Sequence, residues 1–352
     1  MDTDNDAVKR ANQRRKQLLL MLAMTVACIE FAPDSMAIQI PDTRFNFKRL
    51  DSPTCKFLFR FDKKQIEDLV VELRLPDVVI TKAGHKALAL EALLILLRRM
   101  AYPGRLGDIT QHFGRSRTAI IFIFNNVLLH IFRRFKHLLL WDTHRITEQK
   151  LIQFADAYHA QGAPLIDCIG DPDGTVRQMC RPGKGVQKAA YNGHKWKHAL
   201  KWQSISCPDG IIAHLHGPEP GSRHDLTFVV YGDPAYGLKD WMVSPFKGAQ
   251  LTEEQDAFNK AMSRVRVTVE WAFGLIVANW AFVDFHKNLK LWLQPVGVYY
   301  NVAALLTNML TCCKGANELS IFFALDPPTL NEYLHSSPAP TELGDDQEED
   351  DE

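Results

Sequence analysis

Apolar residues recur at helical spacing through the first half of the chain and fall into shorter runs through the middle of it, a change of period that predicts helices first and strands after them. Phe57, Phe61, Ile66, Leu69, Val70 and Leu73 form one helical stripe, interrupted by Pro76. Leu88–Met100, rich in Ala and Leu, predicts a second helix, and Leu106–Phe113 a short third that Gly114 breaks. Ser116 is a good N-cap for a longer helix reaching about Phe135. Further on, Leu165–Ile169 reads as a strand leading into Asp173. Ala199–Ser206 and Ile211–Leu215 read as a hairpin pair, with Cys207, Pro208, Asp209 and Gly210 supplying the turn. Another strand, Leu226–Tyr231, ends at Asp233. Phe258, Met262, Val265, Val269, Ala272, Ile276 and Trp280 then line one side of a long helix, with Glu270 at the border of the stripe. Pro295–Thr311 predicts a last amphipathic helix whose apolar side, Val298, Val302, Leu305, Leu306, Met309 and Leu310, packs on the sheet.

Three helices with a Gly-containing turn before the last resemble a helix-turn-helix, in which the start of the final helix would present Arg115, Arg117 and Thr118 to a DNA groove. A helical cap or a dimer surface would use the same pattern. Phe122, Phe124, Phe132 and Phe135 read as core.

Composition adds that this is an ordinary globular chain, 352 residues long with 46% hydrophobic and 23% charged residues. At about 150 residues per domain it is long enough for two domains. The zero net charge conceals segregation. Asp345–Glu352 is acidic at every position but Gln347, whereas Gly174–Pro208 carries seven Lys or Arg and no acid. In that basic stretch Arg177, Arg181, Lys184, Lys188, Lys195, Lys197 and Lys201 alternate with Tyr191, Trp196 and Trp202, a mixture that can neutralise phosphates and stack on unpaired bases. A solvated strand face with core tryptophans is the plainer account, and Trp202 is the first choice for the core.

Seven cysteines without a C-x-x-C pair fit neither a disulfide framework nor a zinc module, which points to a reducing compartment. The His194/His198 and His214/His216 pairs lack a closed set of four N or S ligands around them. Near the N-terminus Lys9, Arg10, Arg14, Arg15 and Lys16 precede an apolar run, Leu18–Ile29. It resembles a signal peptide, but Asp2, Asp4 and Asp6 and the lack of a small-x-small cleavage site argue instead for a helix packed on the body. The run is too short to span a bilayer. From Pro338 the composition predicts a disordered acidic tail.

Asp173, Asp233 and Glu270 are the candidate chemistry. A hard divalent cation wants oxygen ligands, and a pair of such ions about 3.5–4 Å apart can hold the attacking and leaving oxygens of a phosphodiester displacement. Each acid also has an ordinary use: Asp173 and Asp233 as turn residues before Gly174 and Pro234, and Glu270 as partner of Arg266 one helical turn earlier.

The words around these acids carry a resemblance. DGTVR, CRPG, YNGHKWKHALKWQ, PDG, GSRHD, YGDPAYGL, MSRVRVTVEWAFG and PVGVYYNVAALLTN occur in order, and from about Phe57 to Leu334 the chain resembles the transposases of PIF/Harbinger-type elements, DDE superfamily endonucleases. The resemblance implies an α/β fold, an RNase H-like mixed-sheet catalytic domain after an N-terminal all-α, helix-turn-helix-like region. It divides the chain into a basic and apolar extension (1–56), a helical DNA-binding region (57–160), the endonuclease domain (161–315) and a C-terminal segment with the acidic tail (316–352). It implies that Asp173 bridges two Mg²⁺ or Mn²⁺ ions while Asp233 and Glu270 each hold one. A metal-activated water would cut the DNA and the freed 3′-hydroxyl would attack target DNA. The implied partners are DNA, a Myb-like DNA-binding protein encoded by the same element and further copies of the chain, with no membrane, and the implied location is the nucleus. Arg115, Arg117, Arg177, Arg181, Lys184, Lys188, Lys195 and Lys197 are the expected DNA contacts. Asp225 is a candidate to orient His224 or Arg223. One departure stands out: Asp171 and Pro172 precede the first acid where relatives have apolar residues, and proline is unexpected in a central strand. An early end to the strand, or Asp171 acting as ligand instead, would each accommodate it. A copy that keeps the fold and binds without cutting is the rival reading.

Overall fold

Capping residues set most of the helix boundaries in the N-terminal half. The computed structural model describes residues 40–42, 44–220, 245–248, 250–291 and 294–336. The N-terminal apolar run, the strand expected at Leu226–Tyr231, Asp225 with its neighbours and the acidic tail lie outside them. Asp51 caps α1 (Ser52–Phe59), accepting from the Thr54 amide at 3.0 Å. The helix stops at Arg60, which is left-handed at φ 73°. Asp62 and Gln65 then form a capping box that opens α2 (Lys63–Glu72). The single stripe expected over this stretch is therefore two helices, and Phe57 on the first is 65% exposed.

A short antiparallel hairpin, β1 (Val78–Ile80) and β2 (Lys86–Leu88), leads into α3 (Ala89–Ala101), whose Leu93 to Leu97 are all buried. The next helix, α4 (Leu106–Phe113), ends at Gly114 with φ 60°, a conformation glycine takes without a Cβ clash. Ser116 caps α5 (Arg117–Phe135) through the Ala119 amide. Between these two helices Arg115 grips Glu91 of α3 with two hydrogen bonds, 2.5 and 2.7 Å long. The turn is thus braced against the preceding helix. Phe124 and Phe135 are buried, whereas Phe122 is partly exposed.

After α6 (Glu148–Ala160) the chain makes one antiparallel sheet: β3 (Asp171–Gln178), β4 (Tyr191–Asn192), β5 (Lys197–Ser206) and β6 (Ile212–Pro220), with α7 (Lys184–Ala190) between β3 and β4. Strand β5 is central, flanked by β3 and β6, and β4 pairs with its first residues. The strand expected at Leu165–Ile169 is a loop. The reason is register: Asp171 pairs with Ser206, the last residue of β5, and Cys207 already belongs to the turn, so earlier residues have no ladder to join. Pro172 lies inside β3, opposite Ile205. Among the described residues β3 pairs on one side only, the setting in which a strand tolerates proline.

The β5–β6 turn is held from below. Gly210 sits at φ 80° with Asn317 so close that a Cβ would lie 2.4 Å from its side-chain oxygen. Asp209 is fully buried and pairs with Arg145 at 2.7 Å. Burial pulls the Arg145 guanidinium down, and the Asp209 carboxylate together with Cys207 and Tyr333 lifts it above its usual range.

Two long helices complete the body. The expected apolar stripe of α8 (Glu253–Asn279) is borne out, with Met262, Val265, Val269, Ala272 and Ile276 all buried. Helix α9 (Val296–Lys314) has 15 of its 19 residues buried. It is long and apolar enough to cross a bilayer, and so is α5 with its extension to Leu139, but α9 is enclosed by protein. Three of its polar side chains tie it to its neighbours: Asn301 accepts from the Trp202 indole at 3.0 Å, Thr307 from Trp280 at 3.1 Å, and Asn308 binds both the amide and the carbonyl of Ile212 at 2.9 Å. Two short helices follow, α10 (Glu318–Phe323) and α11 (Leu330–His335). One hydrophobic core runs from Phe47 to Leu334 and includes side chains of α3, α5, β5, β6, α8 and α9, so the helical region and the sheet share it.

Candidate metal and nucleic-acid site

The first candidate acid is fixed by strand geometry. On β3, Asp173, Thr175 and Arg177 alternate onto one face of the sheet, and antiparallel register puts Ser204 and Trp202 of β5 on that face beside them. Trp202 stacks on Tyr300 of α9 with ring centroids 4.4 Å apart, and the Arg177 guanidinium lies 5.5 Å above the same Tyr300 ring. This face is therefore the one that α9 covers.

Helix α8 meets the same face. Arg266 brings its guanidinium to 3.6 Å from the Asp173 carboxylate, both side chains being about three-quarters buried. Glu270 lies one turn further along, about 6 Å by helical rise, on the side of α8 that carries Arg266. It is exposed. A pair with Glu270 is the ordinary alternative open to Arg266; in the structure its guanidinium lies against Asp173. The first acid thus lies against α8, at the residue one helical turn before the third. The second, Asp233, lies outside the described residues, and among those no three His, Cys, Asp or Glu converge as a metal cluster.

The donor set suits a hard cation. Asp173 and Glu270 offer carboxylate oxygens, and across the ladder from Asp173 the Ser204 hydroxyl is buried without a hydrogen-bond partner. An orphaned oxygen and a basic side chain held against the acid mark a position where positive charge is favoured. Ser204 had no signal in the sequence beyond its place in the strand. The histidine pairs do other things: His198 packs on Tyr191, His216 approaches Glu219 at 3.3 Å, and His214 is pushed below the usual imidazole range by burial and by His216.

The expected DNA contacts divide into two sets. Arg181, Lys188, Lys195 and Lys197 are exposed along the segment from β3 to β5, as is Arg117 at the start of α5. Two others are engaged with acidic partners. Arg115 is bound to Glu91, and Arg177, with only 16% of its side chain exposed, pairs with Asp284 at 3.3 Å. The side chain of Lys184 lies outside the described set. Of the three aromatics, Trp202 is core, as expected, while Tyr191 and Trp196 face solvent.

No curated protein and no solved structure matches the chain. Residues 227–308 match the family model described as DDE superfamily endonuclease; the chain is thus similar to that superfamily over a stretch holding Asp233, Glu270 and most of α9, within a body of helices and small antiparallel sheets consistent with such a nuclease domain.

Proposed function

We propose that the chain is a metal-dependent DNA endonuclease and strand transferase of the PIF/Harbinger type, with Asp173, Asp233 and Glu270 as its ligands for Mg²⁺ or Mn²⁺. The observation that carries this reading is the Asp173–Arg266 contact, which sets the Glu270 face of α8 against the strand of the first acid. The family match adds weight independently, since it covers the second and third acids and not the first. The order β6–β5–β3, antiparallel and backed by helices, is compatible with an RNase H-like sheet, and α3–α4–α5 with a helix-turn-helix whose exposed Arg117 and Thr118 would meet DNA.

When bound, divalent cations would supply Lewis-acid charge and an activated water for phosphodiester attack. The chain's own part is to hold two carboxylates on a rigid strand and a rigid helix, to neutralise Asp173 with Arg266 before the ions arrive, and to draw the phosphate backbone in through Arg181, Lys188, Lys195 and Lys197. DNA is the substrate on this reading, a Myb-like protein and further copies of the chain are its partners, and the nucleus is where it acts.

A second reading, a derivative that binds DNA or protein without cutting, is favoured by the same ion pair, because Arg266 already satisfies Asp173 without metal. A nicking assay on element-end DNA with Mg²⁺ or Mn²⁺ separates the two. Cutting by the wild type that Asp233→Asn abolishes supports the enzyme. Wild type no better than Asp233→Asn leaves the binding derivative.

A further inference from the structure

The turn between β4 and β5 carries a side chain that the fold does nothing to shelter. Gly193, His194, Lys195 and Trp196 form it, closed by the register pair Asn192 and Lys197. Asn192, itself buried, accepts the Lys195 amide at 2.8 Å and so fixes the tip. Trp196 is 82% exposed, the most exposed large apolar side chain among the described residues, and its backbone is left-handed at φ 56°. Glycine or asparagine is the usual occupant of such a turn position, because an L side chain is strained there. An indole gains nothing from burial at this tip, and strain concentrates where a side chain is held for a ligand. Its neighbours are cationic: Lys195 and Lys197 are both exposed, with Lys188 and Arg181 exposed nearby in sequence. Behind it, Tyr191 and His198 pack ring against ring at 5.3 Å and stiffen the base of the hairpin.

We infer that this hairpin tip is a stacking site for an unpaired nucleobase of a DNA strand, with Trp196 as the platform and Lys195 and Lys197 on the phosphates either side. Aromatic stacking is indifferent to base identity, and it requires a base out of its pair. The tip therefore distinguishes DNA with frayed or single-stranded ends from closed duplex. It rests on the DNA reading of the basic stretch and is independent of the metal site.

The test uses the full chain in EDTA, so that no cutting occurs. Anisotropy titrations compare a blunt duplex with the same duplex bearing a single-stranded 3′ extension, for wild type, Trp196→Ala and Trp196→Phe. The inference predicts that wild type prefers the extended DNA, that Trp196→Ala loses about tenfold on it and less than about twofold on the blunt duplex, and that Trp196→Phe keeps most of the preference. Equal losses on both DNAs, or no loss on either, overturn it. A wild type that binds both DNAs equally also overturns it, while leaving the duplex reading in place. A wild type that binds neither DNA, or binds anionic phospholipid vesicles instead, removes the DNA reading together with this one. Circular dichroism of each variant checks that the exposed substitution leaves the fold intact.

Discussion

Replacing Arg266 with glutamine should tighten the binding of a divalent cation, because the arginine competes with it for Asp173. The two groups stand 3.6 Å apart. A unit pair at that distance attracts by about 4–5 kcal/mol at an effective dielectric near 20. With about a quarter of each side chain exposed, solvent screening and the entropy of holding the arginine reduce the net value to about 1 kcal/mol. Converted to affinity, that is about a fivefold gain for Mn²⁺ in Arg266→Gln over wild type. Isothermal titration calorimetry with Mn²⁺ in the absence of DNA reads it directly. The wild type should also show the shallower salt dependence, since salt there weakens the competing ion pair along with the attraction of the cation. Unchanged or weaker Mn²⁺ affinity in Arg266→Gln would refute the reasoning, because it would mean that Arg266 does not hold the place of the cation.

Arg145→Met should cost about 3–5 kcal/mol in urea unfolding by leaving the Asp209 carboxylate buried without its counter-charge; a loss below about 1 kcal/mol would contradict the burial of that pair. Asn308→Ala strips the amide and carbonyl of Ile212 of their partners, at about 1–3 kcal/mol for each group left unsatisfied, and differential scanning calorimetry should show the lowered midpoint. His112 is held below the usual imidazole range by burial and, secondarily, by Arg98. The unfolded chain therefore takes up a proton near pH 6.5 that the folded chain resists, so stability is full above that pH and declines as the pH falls toward the lower folded value. Urea midpoints taken at about pH 7.5 and about pH 5.5 should differ less in His112→Leu than in wild type.

Helices were the legible part of the sequence because their ends are written locally. Gly114 and Ser116 punctuate α4 and α5, and the stripe from Met262 to Ile276 is buried as its spacing predicts. The same local signal, the Asp62–Gln65 capping box, divides the first stripe into α1 and α2, although the apolar period runs on through it. Strand ends are set by partners that no local pattern names. Leu165–Ile169 has the right residues for a strand but lies beyond the end of β5. Electrostatic pairing was least legible. Arg266 has Glu270 one turn away in its own helix, and its pairing with Asp173 depends on how a distant strand docks. Arg177 could have been anticipated, since it shares strand parity with Asp173 and so faces the helices. Exposure cannot be read from residue type: Trp196 and Trp202 belong to the same basic and aromatic stretch, yet one is in solvent and the other in the core.

That Asp173 and Glu270 grip the same cation is best tested by a double-mutant cycle on Mn²⁺ affinity, followed by electron paramagnetic resonance in wild type, Asp173→Asn, Glu270→Gln and the combined variant. Shared ligation predicts that each single change weakens binding by about tenfold or more and that the combined change adds little, a coupling of at least about 1 kcal/mol. Losses that simply add, or single variants that bind Mn²⁺ as wild type does, would contradict it.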